Sequence, residues 1–408
     1  MAWPCPYAAH AITCALTLSS ISGLGVAAML SLGCCGCVRD FALGHAMPHA
    51  TGVGRSINEK AKLIRWRFQC RLHHVSHMMH DRLNGFIMRC RSEVRSVLCG
   101  SDDRLLAIVG PCSVYDTASV SEYYARLLVQ RHLHGGTLLT VARAFFEKPR
   151  TILGWKGLLV DPGAAGTDDI ALGLRMSRKL LLYTNRLGLP ACAECLSIPA
   201  ALSMADMLSC GAIGARTVES QPHRELASCA PYAVLMKNDT AGNATAAVRA
   251  AVAARTAHAS ASLLCGAGIA RTVGNPYCTA VLRGGASPNY GAAHSDRTRT
   301  ELSAAGMAGR VGIDASHGNS LRDHRRQAFV FSHVALRLCD GERDTACMVV
   351  ESHIHDGATM LQHAAYGTSV TDGCIGWEET VAALRALSTS ANLRRARTEK
   401  SPMRRTRT

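Results

Sequence analysis

From Ser101 onward, short apolar runs alternate with longer segments whose apolar residues recur at helical spacing. The runs are "RLLAIVG" (104–110), "GTLLTVA" (136–142), "PACAECL" (190–196) and "AIGA" (212–215). They continue with "YAVLMK" (232–237), "CTAVLR" (278–283), "RVGIDA" (310–315) and "ACMVV" (346–350). Each is nearly continuous in apolar residues, which marks strands buried on both faces of a parallel sheet. Between them lie helical patterns such as "VSEYYARLLVQRHL", "ALGLRMSRKLLLYTNRLG" and "HRRQAFVFSHVALRL". Eight such repeats predict a (β/α)8 TIM barrel over residues 101–390. A doubly wound open sheet is the structural alternative, but no glycine fingerprint follows the first strand.

The flanks have a different texture. Residues 2–38 carry no Lys, Arg, Asp or Glu, and 11–37 are long enough to span a bilayer. An apolar N-terminal extension over 1–46 is expected, read as a membrane anchor, a targeting segment or, preferentially, sequence upstream of a start at Met47. Residues 47–100 read as a basic helical N-terminal extension, as in "RSINEKAKLI" and "MRCRSEVRSVL". Residues 391–408 read as a basic disordered tail, because "RRARTEKSPMRRTRT" has almost no apolar residues. Membrane contact follows only if 11–37 act as an anchor.

With 408 residues, 48% of them hydrophobic, the chain can bury a full core. A net charge of +15 favours acidic partners, phosphorylated metabolites among them. Aromatics at 5% count against a base-stacking nucleic-acid binder, and no nucleic-acid partner is expected. Eighteen cysteines in so long a chain do not resemble a secreted disulfide framework, and most sit in apolar runs. A reducing, cytoplasmic setting is expected. The tight "CCGC" at Cys34, Cys35 and Cys37 has no second pair at metal-site spacing.

The barrel reading gives the strand ends their interest, since chemistry collects at the C-terminal ends of barrel strands. Those ends carry Cys112, Arg143, Glu194, Arg216, Lys237, Arg283, His317 and Glu351 in turn. One charged strand end is ordinarily a surface charge; a polar group at all eight is not. Arg143, Lys148, Arg216, Lys237 and Arg283 form a cationic set suited to phosphate and carboxylate, and so many cations at one mouth call for a bound anion. Cys112, His317 and Glu351, with Asp372, make a mixed S/N/O set suited to Zn, Mn, Fe or Co. Without the barrel, the same residues read as a buried cysteine and a core histidine.

At this point the sequence resembles a known family. "GPCSVYD", "RAFFEKPRTILGWKGLLVDP", "GAIGARTVESQPHRELAS", "LRGGASPNY", "IDASHGNS", "MVVESH" and "YGTSVTDGCIGWEET" are similar to motifs of the type I 3-deoxy-D-arabino-heptulosonate-7-phosphate synthases. The likeness covers roughly residues 85–390. It implies condensation of phosphoenolpyruvate with erythrose 4-phosphate, the first step of the shikimate pathway to chorismate and the aromatic amino acids. It implies a divalent metal held by Cys112, His317, Glu351 and Asp372, and a phosphoenolpyruvate site formed by Arg143, Lys148, Arg216, Lys237 and Arg283. Arg150 and Thr151 of "KPRT" correspond to contacts for the erythrose 4-phosphate phosphate, and Glu194 to an acidic group near the reacting carbons. Lys148, Glu194 and His317 are then the expected catalytic groups. Lys148, lying among cations, is expected to have a lowered pKa and to protonate the developing alkoxide. The family is commonly dimeric or tetrameric, so a homo-oligomer is expected.

Several segments depart from the family pattern. Tyr115 stands where the family has a histidine, and "LSIPAALS" (196–203) replaces a segment with Asp, Gln and Tyr. Segments 228–236 and 259–275 also diverge, the latter appearing shortened. The family uses these regions for its subunit interface and inhibitor pocket, so weak or absent feedback inhibition is expected. Two alternatives stand beside the synthase: the related 8-phosphate synthase acting on arabinose 5-phosphate, disfavoured by "KPRT", and a decayed or repurposed barrel that binds anions or nucleic acid without turnover.

Overall fold

Helix α1 (His80–Cys99) precedes strand β1 (Leu105–Gly110) in the computed structural model, which describes residues 80–261 and 269–400. The apolar stretch 11–37, the "CCGC" cluster, Met47, the extension up to residue 79 and the last residues from 401 lie outside the described residues. Strand and helix then alternate: α2 (Thr117–His134), β2 (Leu138–Arg143), α3 (Ile170–Arg186), β3 (Ala191–Glu194) and α4 (Ile198–Met204). They continue through β4 (Cys210–Ile213), α5 (Gln221–Cys229), β5 (Ala233–Lys237) and α6 (Ala244–Arg255). A short hairpin of β6 (Ala259–Ala261) and β7 (Ile269–Arg271) follows. The chain closes with β8 (Cys278–Leu282), α7 (Ala292–Ala304), β9 (Val311–Asp314), α8 (Gln327–Cys339), β10 (Thr345–Glu351) and α9 (Trp377–Lys400).

Strands β1, β2, β3, β4, β5, β8, β9 and β10 pair in parallel and close into a barrel, with β1 hydrogen-bonded to both β2 and β10. Each falls on one of the eight apolar runs, with β4 beginning two residues earlier than "AIGA". The antiparallel β6–β7 hairpin is an addition the sequence pattern did not indicate, lying within the divergent segment 259–275. Its residues are small and mixed in polarity, so no apolar run announced it.

Alternation along each strand divides the core in two. Leu105, Ala107 and Val109 of β1 face the helices, whereas Leu106 and Ile108 face the barrel interior with Leu139, Val141, Leu235, Val281 and Val349. Cys192, Cys210 and Cys347 also fill that interior, as small hydrophobes. Val94, Val97 and Leu98 of α1 join the interior cluster, so the helix closes the N-terminal end of the barrel. Its arginines serve the same closure. Arg91 donates to Leu208 O (2.9 Å) and Ala205 O (2.6 Å), and Arg95 to Pro231 O (2.7 Å), at the approaches to β4 and β5.

Two local readings change. The disordered tail expected from Ala391 is instead helical as far as Lys400. The buried face of α9, Leu384, Leu387 and Ala391, extends through Arg394, and Arg395 makes two 2.6 Å bonds to Asp103. Basic composition there reflects docking onto the barrel. The divergent "LSIPAALS" forms α4, with Pro199 in its first turn, where a missing N–H costs nothing.

Candidate active site

The C-terminal strand ends open into a cavity of about 620 Å³ lined by Cys112, Arg143, Lys148, Arg150, Thr151, Glu194, Arg216, Lys237, Arg283, His317, Glu351 and Asp372. All the sequence-predicted site residues thus meet in one place. They fall into linked groups, each organised by a buried partner.

Arg143 ends β2 and is 2% exposed. Its guanidinium donates to Pro111 O (2.5 Å), Cys112 O (2.6 Å) and Glu351 Oε1 (2.8 Å), and it lies over the Phe145 ring at 3.7 Å. One side chain therefore fixes the loop after β1 and the carboxylate ending β10. The close approach needs Gly110, since a Cβ there would stand 2.6 Å from Arg143 O.

Cys112, Glu351 and Asp372 place one ligand atom each within 4.8 Å of one another. Burial and the neighbouring Glu351 push the Cys112 thiol up to about 11, so a bound cation is what would convert it to a thiolate at neutral pH. His317 sits beside this group, its Nε2 3.6 Å from Glu351 Oε1. It adopts a left-handed backbone conformation (φ 58°), a strained state for a non-glycine residue. Its Nδ1 lies 3.0 Å from Asp314 Oδ2 and 2.7 Å from Ser316 Oγ. A proton on Nδ1 shared with Asp314 would leave Nε2 free to accept a metal, the arrangement usual for metal-bound histidines. The donor set therefore fits a borderline divalent metal.

Asp314, which holds Lys237 and His317 from behind, was missed by reading the strand ends. It is completely buried at the end of β9 and accepts from Lys237 Nζ (2.7 Å), Ser316 N (2.9 Å) and Ser316 Oγ (2.6 Å). Burial would raise its pKa, but Lys237 and His317 outweigh that and hold the carboxyl well below its usual range. The signal was an acid inside the apolar run "VGIDA". Arg322, also left-handed (φ 64°), and His324 line the cavity too and had no motif to mark them.

The cationic set is more nearly neutralised than sequence implied. Arg143 pairs with Glu351, Lys237 with Asp314, and Lys148 with Asp372 at 2.7 Å. Lys148 Nζ is also 2.7 Å from Cys112 Sγ. The expected lowering of the Lys148 pKa is therefore wrong in sign. Burial does lower it, but Cys112, Glu351 and Asp372 outweigh burial and raise it. Arg216 and Arg283 have neutral partners: Arg216 donates to Thr151 Oγ1 (3.2 Å) and Pro149 O (3.4 Å), and Arg283 to Gly284 O (3.4 Å). Arg150 is held by Trp155 O at 2.7 Å. Tyr115 packs edge-on against Trp155, with ring centroids 5.6 Å apart.

Two acids, one half-buried and one buried, lie to one side. Glu194 ends β3, half-buried, and Gly214 makes room for it: a Cβ there would meet Glu194 Oε1 at 2.1 Å. Behind it Glu147 accepts from Ser197 N (3.1 Å), and burial, reinforced by Glu194, raises its pKa to about 7.

Residues 82–385 match the model of the DAHP synthetase I family. The Phe-sensitive phospho-2-dehydro-3-deoxyheptonate aldolase of Escherichia coli K12 is 43% identical over 314 residues, covering 76% of this chain and 90% of that protein. The Tyr-sensitive aldolase of the same strain is 39% identical over 308 residues, 74% of this chain and 86% of its own length. The structure of phospho-2-dehydro-3-deoxyheptonate aldolase from Francisella tularensis SCHU S4 superposes with a TM-score of 0.75 at 33% identity, covering 86% of this chain and 99% of that one. With its parallel barrel, and with the family's motif residues gathered around one cavity, this chain belongs to the DAHP synthetase I family.

Proposed function

We propose that this chain is a 3-deoxy-7-phosphoheptulonate synthase: it joins phosphoenolpyruvate to D-erythrose 4-phosphate, consumes water and releases inorganic phosphate. The observation that carries this reading is one cavity in which Arg150, Thr151, Arg216 and Arg283, none of them ion-paired among the described residues, stand beside a metal-ligand set. Arg216 and Arg283, whose partners are neutral, receive the phosphoenolpyruvate anions with Arg143 and Lys237 behind them. Arg150 and Thr151, further out on the loop after β2, hold the phosphate of the second substrate.

Cys112, His317, Glu351 and Asp372 would hold the divalent ion, one of Mn, Fe, Co or Zn. When bound it supplies Lewis-acid polarisation of the aldehyde. The chain's own groups do the rest. The methylene carbon of phosphoenolpyruvate attacks the aldehyde carbon, forming the carbon–carbon bond and leaving positive charge on the neighbouring carbon that bears the phosphate. Lys148 Nζ gives its proton to the developing alkoxide, which is far more basic than a lysine amine even with its raised pKa. Glu194 takes a proton from the water that adds at the carbon bearing the phosphate; the new hydroxyl then loses its proton to form the ketone as the bond from that carbon to the phosphate oxygen breaks and inorganic phosphate leaves.

This activity would open the shikimate pathway. A cytoplasmic setting is supported by the free thiol state of every cysteine among the described residues. No helix among the described residues is long and apolar enough to cross a membrane. We further propose a homo-oligomer, a dimer or tetramer.

The test is loss of phosphoenolpyruvate absorbance on mixing the full chain with Mn²⁺ and erythrose 4-phosphate, with arabinose 5-phosphate as the competing sugar. Consumption that depends on erythrose 4-phosphate, is abolished by EDTA and is missing in Cys112→Ala is expected. No consumption with metal present would overturn the proposal.

A further inference from the structure

The loop after β2 carries Arg150 and Thr151, and it stands well out from the barrel. Lys148 N donates to Lys156 O (2.8 Å) and closes its base. Beyond that base the tip reaches solvent, with Ile152 87% and Leu153 91% exposed. Among the described residues, few hydrogen bonds reach segment 149–155. Arg216 donates to Thr151 Oγ1 and Pro149 O, Arg150 Nε to Trp155 O (2.7 Å), and Trp155 Nε1 to Asp161 O (2.8 Å). Trp155 is therefore the residue on which the Arg150 side chain hangs.

The indole of Trp155 is fixed from two sides. Asp161, itself 7% exposed, takes the Nε1 hydrogen on its carbonyl, and the Tyr115 ring meets the indole edge-on at 5.6 Å and 80°. Tyr115 stands between two anchored neighbours. Before it, buried Val114 donates its backbone N–H to Phe145 O (2.8 Å). After it, Asp116 caps α2, accepting from Ala118 N (3.0 Å) and Ser119 N (2.9 Å). The Tyr115 hydroxyl has no hydrogen-bond partner among the described residues, so the ring is what this side chain contributes. Held through Nε, Arg150 keeps both terminal nitrogens without partners among the described residues, and such a pair can meet two phosphate oxygens.

We propose that Tyr115 is a positioning residue for the second substrate: through the Trp155 ring and carbonyl it sets the direction of the Arg150 guanidinium toward that substrate's phosphate. The inference rests on reading Arg150 as the contact for that phosphate. Tyr115 does not line the catalytic cavity, so it acts without touching substrate. The contact joins Trp155 of the family motif "GWKG" to a position where this chain departs from the family.

The experiment measures phosphoenolpyruvate consumption by the full chain with Mn²⁺, varying each substrate in turn. Tyr115→Leu keeps apolar bulk without the ring. It is expected to raise KM for erythrose 4-phosphate roughly three- to tenfold, the scale of one aromatic pair, and to leave KM for phosphoenolpyruvate within about twofold. Tyr115→Phe keeps the ring and should match the parent. Tyr115→His, the residue usual in the family and compatible with the fold, should give a smaller rise of the same selectivity. Trp155→Leu should show the selective effect too, and adding Tyr115→Leu to it should change little, because the two residues act in series. Arg150→Gln separates this inference from the reading beneath it. A rise in KM for erythrose 4-phosphate in Arg150→Gln but not in Tyr115→Leu would overturn the positioning role alone. No turnover by the parent, or no rise in Arg150→Gln, would overturn the reading of Arg150 and this inference with it. An equal rise in both KM values in Tyr115→Leu would mark a general loss of packing and would also overturn the positioning role.

Discussion

Replacing Arg143 with methionine isolates the principal electrostatic feature of the catalytic cleft. The substitution keeps an apolar stem of similar reach and removes three hydrogen bonds, to Pro111 O, Cys112 O and Glu351 Oε1. Glu351 is 1% exposed, so its charge loses a buried partner. Breaking one side of such a pair costs about 3–5 kcal/mol, a large share of the roughly 5–15 kcal/mol by which a domain is stable. Urea unfolding followed by tryptophan fluorescence reads this as a lower midpoint at unchanged slope. Arg143→Lys keeps the charge but not the planar fork and should lose less, about 1.5–3 kcal/mol.

The decisive variant is the double substitution Arg143→Met with Glu351→Met. If the cost arises from an uncompensated buried carboxylate, removing that carboxylate recovers part of the loss, and the double variant is more stable than Arg143→Met alone. All these variants should lose at least about a hundredfold in kcat, the scale of losing a preorganised charge at a reacting centre. An Arg143→Met protein within 1 kcal/mol of the parent, or a double variant no more stable than the single, would refute the pairing argument.

Three further outcomes are expected. Glu147 has a folded pKa near 7 against an ordinary 4.5, so the folded state binds the extra proton between those values and stability falls as pH rises from about 4.5 to about 7. The effect is at most about 3 kcal/mol, and Glu147→Gln should flatten the pH profile of the urea midpoint across that window. Gly214→Ala places a methyl against the movable end of Glu194, so kcat should drop tenfold or more while Tm shifts by only a few degrees; an unchanged kcat would remove Glu194 from the reacting centre. Phe, Tyr and Trp, each added to the steady-state assay, should leave the rate within about twofold, and strong inhibition by any one would refute the expectation drawn from segments 196–203, 228–236 and 259–275.

The barrel was legible because its signal is local and repeated. Eight runs such as "LLAIVG" can be buried on both faces only in a parallel sheet, and the observed strands fall on all eight. The β6–β7 hairpin was not legible, since Ala259–Ala261 and Ile269–Arg271 are too short and mixed to show a period. The helical continuation beyond Ala391 was hidden for another reason. Charge composition there resembles disorder, and only the tertiary partners Asp103 and Gly136 O explain why Arg395 is ordered. In the catalytic cleft, position along the chain indicated which residues gather but not which of them face each other.

That distinction explains the error over Lys148 and gives the pairing its chemical meaning. Sequence displays five cations at strand ends, and counting them predicts mutual repulsion and a lowered lysine pKa. The fold sets Cys112, Glu351 and Asp372 against Lys148 instead, and together they outweigh burial. The same three groups form the metal-ligand cluster. Lys148 and a divalent ion therefore draw on the same negative charge. In the proposed reaction, an ion held there would weaken the hold of Asp372 and Cys112 on the ammonium and so lower the Lys148 pKa. The proposed proton donation by Lys148 and metal occupancy would in this way be coupled through Cys112 and Asp372.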